Sequence, residues 1–220
     1  MPRKADVKGS TDNASDSAAM SRRDRAQQTR MRMIRAAHLA FVEHGYSGAS
    51  MAEIAKAAGV AVQTVYFTFH TKGELLSACY DTAVLGEEEP LPPHQQPWHV
   101  RMLAARSGRS ALRAFAEGNS TIVQRVGLLD DVVRSALHEP DAVAVRENSE
   151  RLRRAGYANV VEHLRERFGL RRGLDDRTAT DLFLTFGGTS LYRSLVLDYG
   201  WEHDRYVAWL AETLVAQLLS

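Results

Sequence analysis

Apolar residues recur at intervals of three and four along nearly the whole chain, the spacing of one face of an α-helix. Alternating runs closed by an Asn-Gly or Asp-Gly pair, the mark of hairpins, do not occur. The pattern predicts an all-α protein without internal repeats. Three helices are expected between residues 22 and 70. The first, about 24–44, carries Ile34, Ala37 and Phe41 at i, i+3 and i+7 and stops at Gly45, because glycine tolerates the backbone turn beyond a helix end. The second starts after Ser50, a favourable N-cap, with Glu53 three residues on as a capping box. Its inner stripe is Met51, Ile54, Ala55 and Ala58, and Gly59 ends it. The third runs from about 61 to 67–70, with Val62, Val65 and Phe69 facing inward.

A helix, a turn at Gly59-Val60 and a second helix within residues 50–69 form a helix-turn-helix pattern. A simple αα-corner shares that spacing, so the outward face says more. At ~100° per residue, Gln63, Thr64 and Phe67 point away from the inner stripe, with Tyr66 and His70 at its edge. Glutamine can read adenine in a major groove, threonine can meet bases or phosphate, and an apolar side chain can meet a thymine methyl. A tyrosine hydroxyl can donate to phosphate. Phe67 would otherwise pack on an adjoining domain.

Four of the six prolines fall in the segment PLPPHQQP at 90–97, after the acidic run Glu87–Glu89. This segment is expected to be a non-helical loop dividing the chain. Beyond it, helices are expected at about 98–106, 109–126, 128–137, 140–168, 175–198 and 202–219, punctuated by Gly108, Pro140, Gly169, Gly173 and Gly200. Helix 202–219 carries Val207, Leu210, Ala211, Leu214 and Leu218 on one stripe. Helix 175–198 is apolar over most of its circumference, through Leu182, Phe183, Leu184, Phe186, Leu191, Leu195 and Val196, and is expected to be buried on both sides. Gly187-Gly188 inside it fits either a close approach to a partner helix or a kink around a ligand pocket. Met102, Phe115, Asn119, Ile122, Tyr157, Val160 and Phe183 mix apolar walls with a few polar groups, as ligand sites do.

Composition alone points away from nucleic acid, since the 220 residues carry a net charge of only +1. The charge is unevenly placed. Residues 22–72 hold eight basic against three acidic side chains, net +5, and residues 73–220 hold 17 against 21, net −4. Residues 1–21 are balanced and small or polar, and read as a disordered tail. A basic module joined to an acidic one points to nucleic acid or a membrane surface. No apolar run approaches the ~18–20 residues of a membrane span, so a cytoplasmic protein is expected. Arg22, Arg23, Arg25 and Arg30 form either a DNA-reaching arm or a solvated basic end. The single cysteine, Cys79, rules out an internal disulfide and reads as a buried apolar residue. No HExxH, GxGxxG, P-loop or nucleophile signature occurs, so neither enzyme activity, nor a metal, nor a cofactor is expected.

The string FVEHGYSGASMAEIAKAAGVAVQTVYFTFHTKGELL resembles the N-terminal module of the TetR family of transcriptional regulators. The resemblance covers about 27–87. It rests on Phe41, Gly45-Tyr46, Ser50, Ile54-Ala55, Ala58-Gly59-Val60, then Tyr66, Phe69, Lys72 and Leu75 in register. Val65 and Phe67 stand where the family often has leucine and tyrosine. The resemblance implies that Ser50 touches a phosphate, that Gln63 and Thr64 face bases, and that Tyr66, His70 and Lys72 bind phosphate. It implies that residues 98–220 are a ligand-binding and dimerisation domain. Leu182, Phe186, Leu191 and Leu195 with Val207, Leu210, Leu214 and Leu218 would then form a four-helix homodimer interface. The function implied is a repressor released from a palindromic double-stranded DNA operator by a small-molecule effector. The alternatives are a constitutive DNA-binding regulator and a helical enzyme or interaction module.

Overall fold

A computed structural model describes residues 22–87 and 90–219. The tail expected over 1–21 and Glu88-Glu89 of the acidic run lie outside the described residues. Among those described there is helix and loop but no strand.

Helix α1 spans Arg22–Gly48, with non-helical backbone at Gly45 (φ 71, ψ 174), so the regular helix ends at the expected glycine and one further turn follows. It takes in Arg22–Arg30, so the arginine segment is helical, exposed through Arg22, Arg23 and Arg25 and partly buried at Arg30. Helix α2 (Met51–Ala58) starts at Ser50, whose Oγ accepts the Glu53 N–H at 3.2 Å. The other half of the expected box closes differently: the Ser50 hydroxyl donates to the Glu53 carboxylate at 2.9 Å. Gly59 is left-handed at φ 65, where a side chain would be strained, and turns the chain into α3 (Val62–Phe69). Of the expected inner stripe of α3, Val65 and Phe69 are buried and Val62 is partly exposed. His70 at φ 53 and ψ −49 reverses the chain between α3 and α4 (Lys72–Leu85), in a γ-turn closed by the Thr71 N–H on the Phe69 carbonyl.

The proline segment is less irregular than expected. Pro93–Gln95 form a 3-10 turn, and Pro97 opens α5 (Pro97–Leu103) at the first helical position, where its missing N–H leaves nothing unpaired. Helix α6 (Gly108–Ser135) is one helix where two were expected. Gly127 stays inside it, a loss of ~1 kcal/mol relative to alanine that the packing of α6 against α1, α4, α5, α7, α9 and α10 offsets. Helix α7 is Pro140–Phe168. The helix expected over 175–198 is broken at Gly187-Gly188 into α8 (Asp176–Phe186), α9 (Thr189–Tyr192) and a π-helical turn at Arg193–Asp198. Helix α10 spans His203–Leu218.

Two apolar cores result. One joins α1–α4 to Leu129, Val132 and Val133 of α6 and Ala142 and Val145 of α7. The other joins α5 to α10. The proline loop therefore divides the sequence but not the packing, because α6 and α7 run through to the first module. Cys79 is in the first core, its thiol 3.5 Å from the Ile34 carbonyl and pushed up to about 12 by burial.

Burial also holds His38, His99 and His163 below the ordinary imidazole value of 6.5. The folded state then binds fewer protons than the unfolded chain. The stability these groups contribute is present above pH ~6.5 and is lost as pH falls through their lower folded values. The unfolding temperature is expected to drop between pH 7 and pH 5, and His38→Gln with His99→Gln should flatten that slope. An unchanged slope in the double variant would contradict this.

Candidate nucleic-acid interface

Helix α3 is short and anchored from one side only, by Val65 and Phe69 in the core. Its opposite face presents Gln63 exposed, Thr64 partly exposed, Tyr66 at 49% and Phe67 at 85% exposure. An apolar ring as open as Phe67 has no packing role in the free chain, so packing on an adjoining domain is excluded among the described residues. Beside this face lie residues of the N-terminal turns of α1. Between them lies a groove of about 510 Å³ lined by Arg23, Arg25, Thr29, Arg30, Thr64 and Thr68 among others. The Arg30 guanidinium lies 4.7 Å over the Phe69 ring, and its Nη1 is buried without a hydrogen-bond partner. Thr68, one turn after Thr64, is a groove residue that the sequence reading missed. Its helical offset from Thr64 was the available signal.

The residues expected at phosphate are placed unequally. Ser50 is exposed but engaged with Glu53. His70 is exposed, with Nδ1 3.2 Å from the Glu74 carboxylate. Lys72 is partly buried, donating to the carbonyls of Tyr46 at 2.9 Å and Ala49 at 3.4 Å, and lies 4.4 Å over the Tyr46 ring. An ammonium has three donors, so Lys72 fixes the α1–α2 turn with two and keeps one. It positions this face at least as much as it offers a contact.

Tyr46 is itself held from the second half of the chain. Its hydroxyl donates to the Asp141 carboxylate at 2.5 Å, and burial followed by that bond raises its pKa. Asp141 sits against Gly73 so closely that a Cβ there would lie 2.4 Å from Asp141 Cγ. The start of α7 is thus clamped on the start of α4, beside the end of α3. Gly73→Ala is expected to push Asp141 away from Tyr46 and to destabilise the fold by about 1–3 kcal/mol, measured by denaturant unfolding. Wild-type stability in that variant would show the clamp to be slack.

Residues 33–79 match the model of the bacterial regulatory proteins of the tetR family. This N-terminal module is similar to that of TetR-family regulators. It is 38% identical over 60 residues to the HTH-type transcriptional regulator TtgR of Pseudomonas putida, a match covering 27% of this chain and 29% of that protein. The match therefore spans under a third of that relative's length. The fold of the whole chain is similar to NalD, the secondary repressor of the MexAB-OprM multidrug efflux pump in Pseudomonas aeruginosa, at TM-score 0.64 and 21% identity, covering 88% of this chain and 98% of that one. It is also similar to FadR of Bacillus subtilis in complex with stearoyl-CoA, at TM-score 0.65 and 17% identity, covering 84% and 97%.

The rest of the chain places the other expected sites. Met102, Phe115, Tyr157, Val160 and Phe183 are buried, Asn119 is buried and Ile122 partly so. Phe115 packs edge-to-face on Phe183 at 4.8 Å and on Tyr157 at 5.5 Å, so these rings fill the space between them. Burial pushes Tyr157 up to about 12. Its hydroxyl donates to Asn119 Oδ1 at 2.6 Å, and Asn119 Nδ2 donates to the Gly187 carbonyl at 3.0 Å. That bond takes up a carbonyl at the break between α8 and α9. Of the expected dimer residues, Leu210, Leu214 and Leu218 are fully buried within the single chain, so they have no surface left for a partner. Leu182, Phe186, Leu191, Leu195 and Val207 remain partly exposed. Among the described residues no group of His, Cys, Asp or Glu is placed to hold a metal, and no helix is long and apolar enough to cross a membrane.

Proposed function

We propose that the protein is a DNA-binding transcriptional regulator, acting as a homodimer and as a ligand-responsive repressor. The observation that carries the reading is the open α3 face of Gln63, Tyr66 and Phe67 beside an arginine-lined groove. Two such faces on a two-fold dimer would enter successive major grooves ~34–36 Å apart on a pseudo-palindromic operator. The partly exposed Leu182, Phe186, Leu191, Leu195 and Val207 supply the apolar surface for the partner copy. That NalD is a repressor and that FadR carries an acyl-CoA support repression and effector binding here.

Helix α4 is the connection a ligand would act through. Its start is clamped by Asp141 and Lys72, as above. Its end is capped by Arg125 of α6, which donates to the Ala83 and Val84 carbonyls at 2.8 and 3.1 Å. A ligand shifts the two states only by its differential affinity for them. The test is mobility shift of promoter fragments at fixed salt, with Tyr66→Ala and Lys72→Ala. Sequence-selective retention that Tyr66→Ala weakens supports the reading, and wild-type affinity in both variants would sink the assigned face. Selective retention that no small molecule releases would favour constitutive regulation.

A further inference from the structure

We propose that the cavity between α4, α6, α7 and the α8–α9 break binds a small molecule carrying a carboxylate or phosphate group on an apolar body. This deepens the ligand-responsive reading above and rests on it. The cavity measures about 300 Å³ and is distinct from the aromatic cluster around Phe115. Its wall holds three arginines, Arg134, Arg146 and Arg153, against two carboxylates, Asp130 and Glu150.

Both carboxylates are already engaged. Asp130 accepts from the Thr189 hydroxyl at 2.6 Å and from the Tyr80 hydroxyl at 3.5 Å. Glu150 takes both its bonds from Arg153, at 2.9 and 2.8 Å. The other two guanidiniums are not neutralised. Arg134 donates to the Ser190 hydroxyl at 2.9 Å and makes no ion pair among the described residues. Arg146 has neither an ion pair nor a side-chain hydrogen bond among them. Hydroxyl donors leave the Asp130 charge in place, so Arg134 and Arg146 together exceed it by one positive charge on the same concave wall, an oxyanion site because the planar guanidinium fork matches carboxylate and phosphate oxygens. Leu184 and Leu191 give the same space an apolar wall.

The site also touches the lever. Tyr80 lies on α4, and its hydroxyl accepts from Ser149 of α7 at 3.4 Å while donating to Asp130 of α6. An anion drawing Arg134 and Arg146 together would load these contacts and move α4 relative to α6. The Gly188 backbone closes the far side, where an added Cβ would lie 3.3 Å from Arg153 Nη1.

The test is calorimetric titration of the full chain with three probes of one shape, benzoate, phenyl phosphate and uncharged benzamide. At least one anion is expected to bind and benzamide is not. The stronger anion tells which oxyanion the site takes. Arg146→Gln, which removes no bond from the free fold, is expected to weaken that anion roughly tenfold or more. Arg113→Gln, far along α6, should leave it unchanged. Binding of neither anion, equal binding of benzamide, or wild-type affinity in Arg146→Gln would overturn the proposal. DNA binding is measured on the same preparation. Selective DNA binding without anion binding overturns this site alone, whereas anion binding without selective DNA binding keeps the site and overturns the regulator reading.

Discussion

Gly118→Ala is expected to destabilise the fold by about 1–3 kcal/mol, a fall in Tm of roughly 2–12 °C for a chain of this size. A Cβ at Gly118 of α6 would lie 2.0 Å from Trp98 Cγ and 2.2 Å from Cδ2. The indole has no cheap way out. It is 9% exposed and packs edge-to-face on Phe115 at 5.9 Å. Its Nε1 donates to Gln96 Oε1 at 2.9 Å. Gln96 in turn donates to the Leu91 carbonyl at 2.9 Å and to those of Val84 and Leu85 at 3.4 Å. Moving Trp98 therefore unlaces the end of α4 as well as overpacking the core. Trp98→Leu, which makes room, should recover part of the loss when combined with Gly118→Ala. An unchanged Tm in the single variant, or strict additivity in the pair, would show that the close approach is not what fixes α4.

The second large effect is on DNA. Gln63→Ala is expected to lose about 1–3 kcal/mol at each half-site if Gln63 makes a bidentate contact to adenine, and Tyr66→Ala should add a phosphate contact to the loss. Phe67→Ser separates this from folding. At 85% exposure its removal should leave Tm unchanged while lowering affinity for the preferred sequence. A Phe67→Ser chain that unfolds earlier would mean that the ring packs on something in the free protein.

Local signals made the first module legible. Ser50 and Gly59 punctuate α2 by their own chemistry, and the face opposite Val65 and Phe69 follows from helical angle alone. The uneven charge about residue 72 puts the basic excess in the first module. The second half was less legible because its decisive contacts are long-range. Gly127 leaves α6 unbroken because six other helices hold it. Gly187-Gly188 breaks α8 from α9 at a carbonyl bonded by Asn119, which lies far away in sequence. The stripe of Leu210, Leu214 and Leu218 showed that a face is buried but not by which chain, and it is buried by its own. The oxyanion cavity draws Tyr80, Arg134, Arg146 and Leu191 from separate elements, so no local spacing marked it.

Helix α3 is expected to read the DNA sequence. The most direct measurement is selection of duplexes from a random pool by the full chain, at stated salt, beside the Gln63→Ala/Tyr66→Ala variant. Enrichment of a pseudo-palindrome with half-sites one helical turn or a multiple apart, lost or altered in the variant, is the predicted result. Enrichment of no sequence, or of the same sequence equally well by the variant, would contradict it.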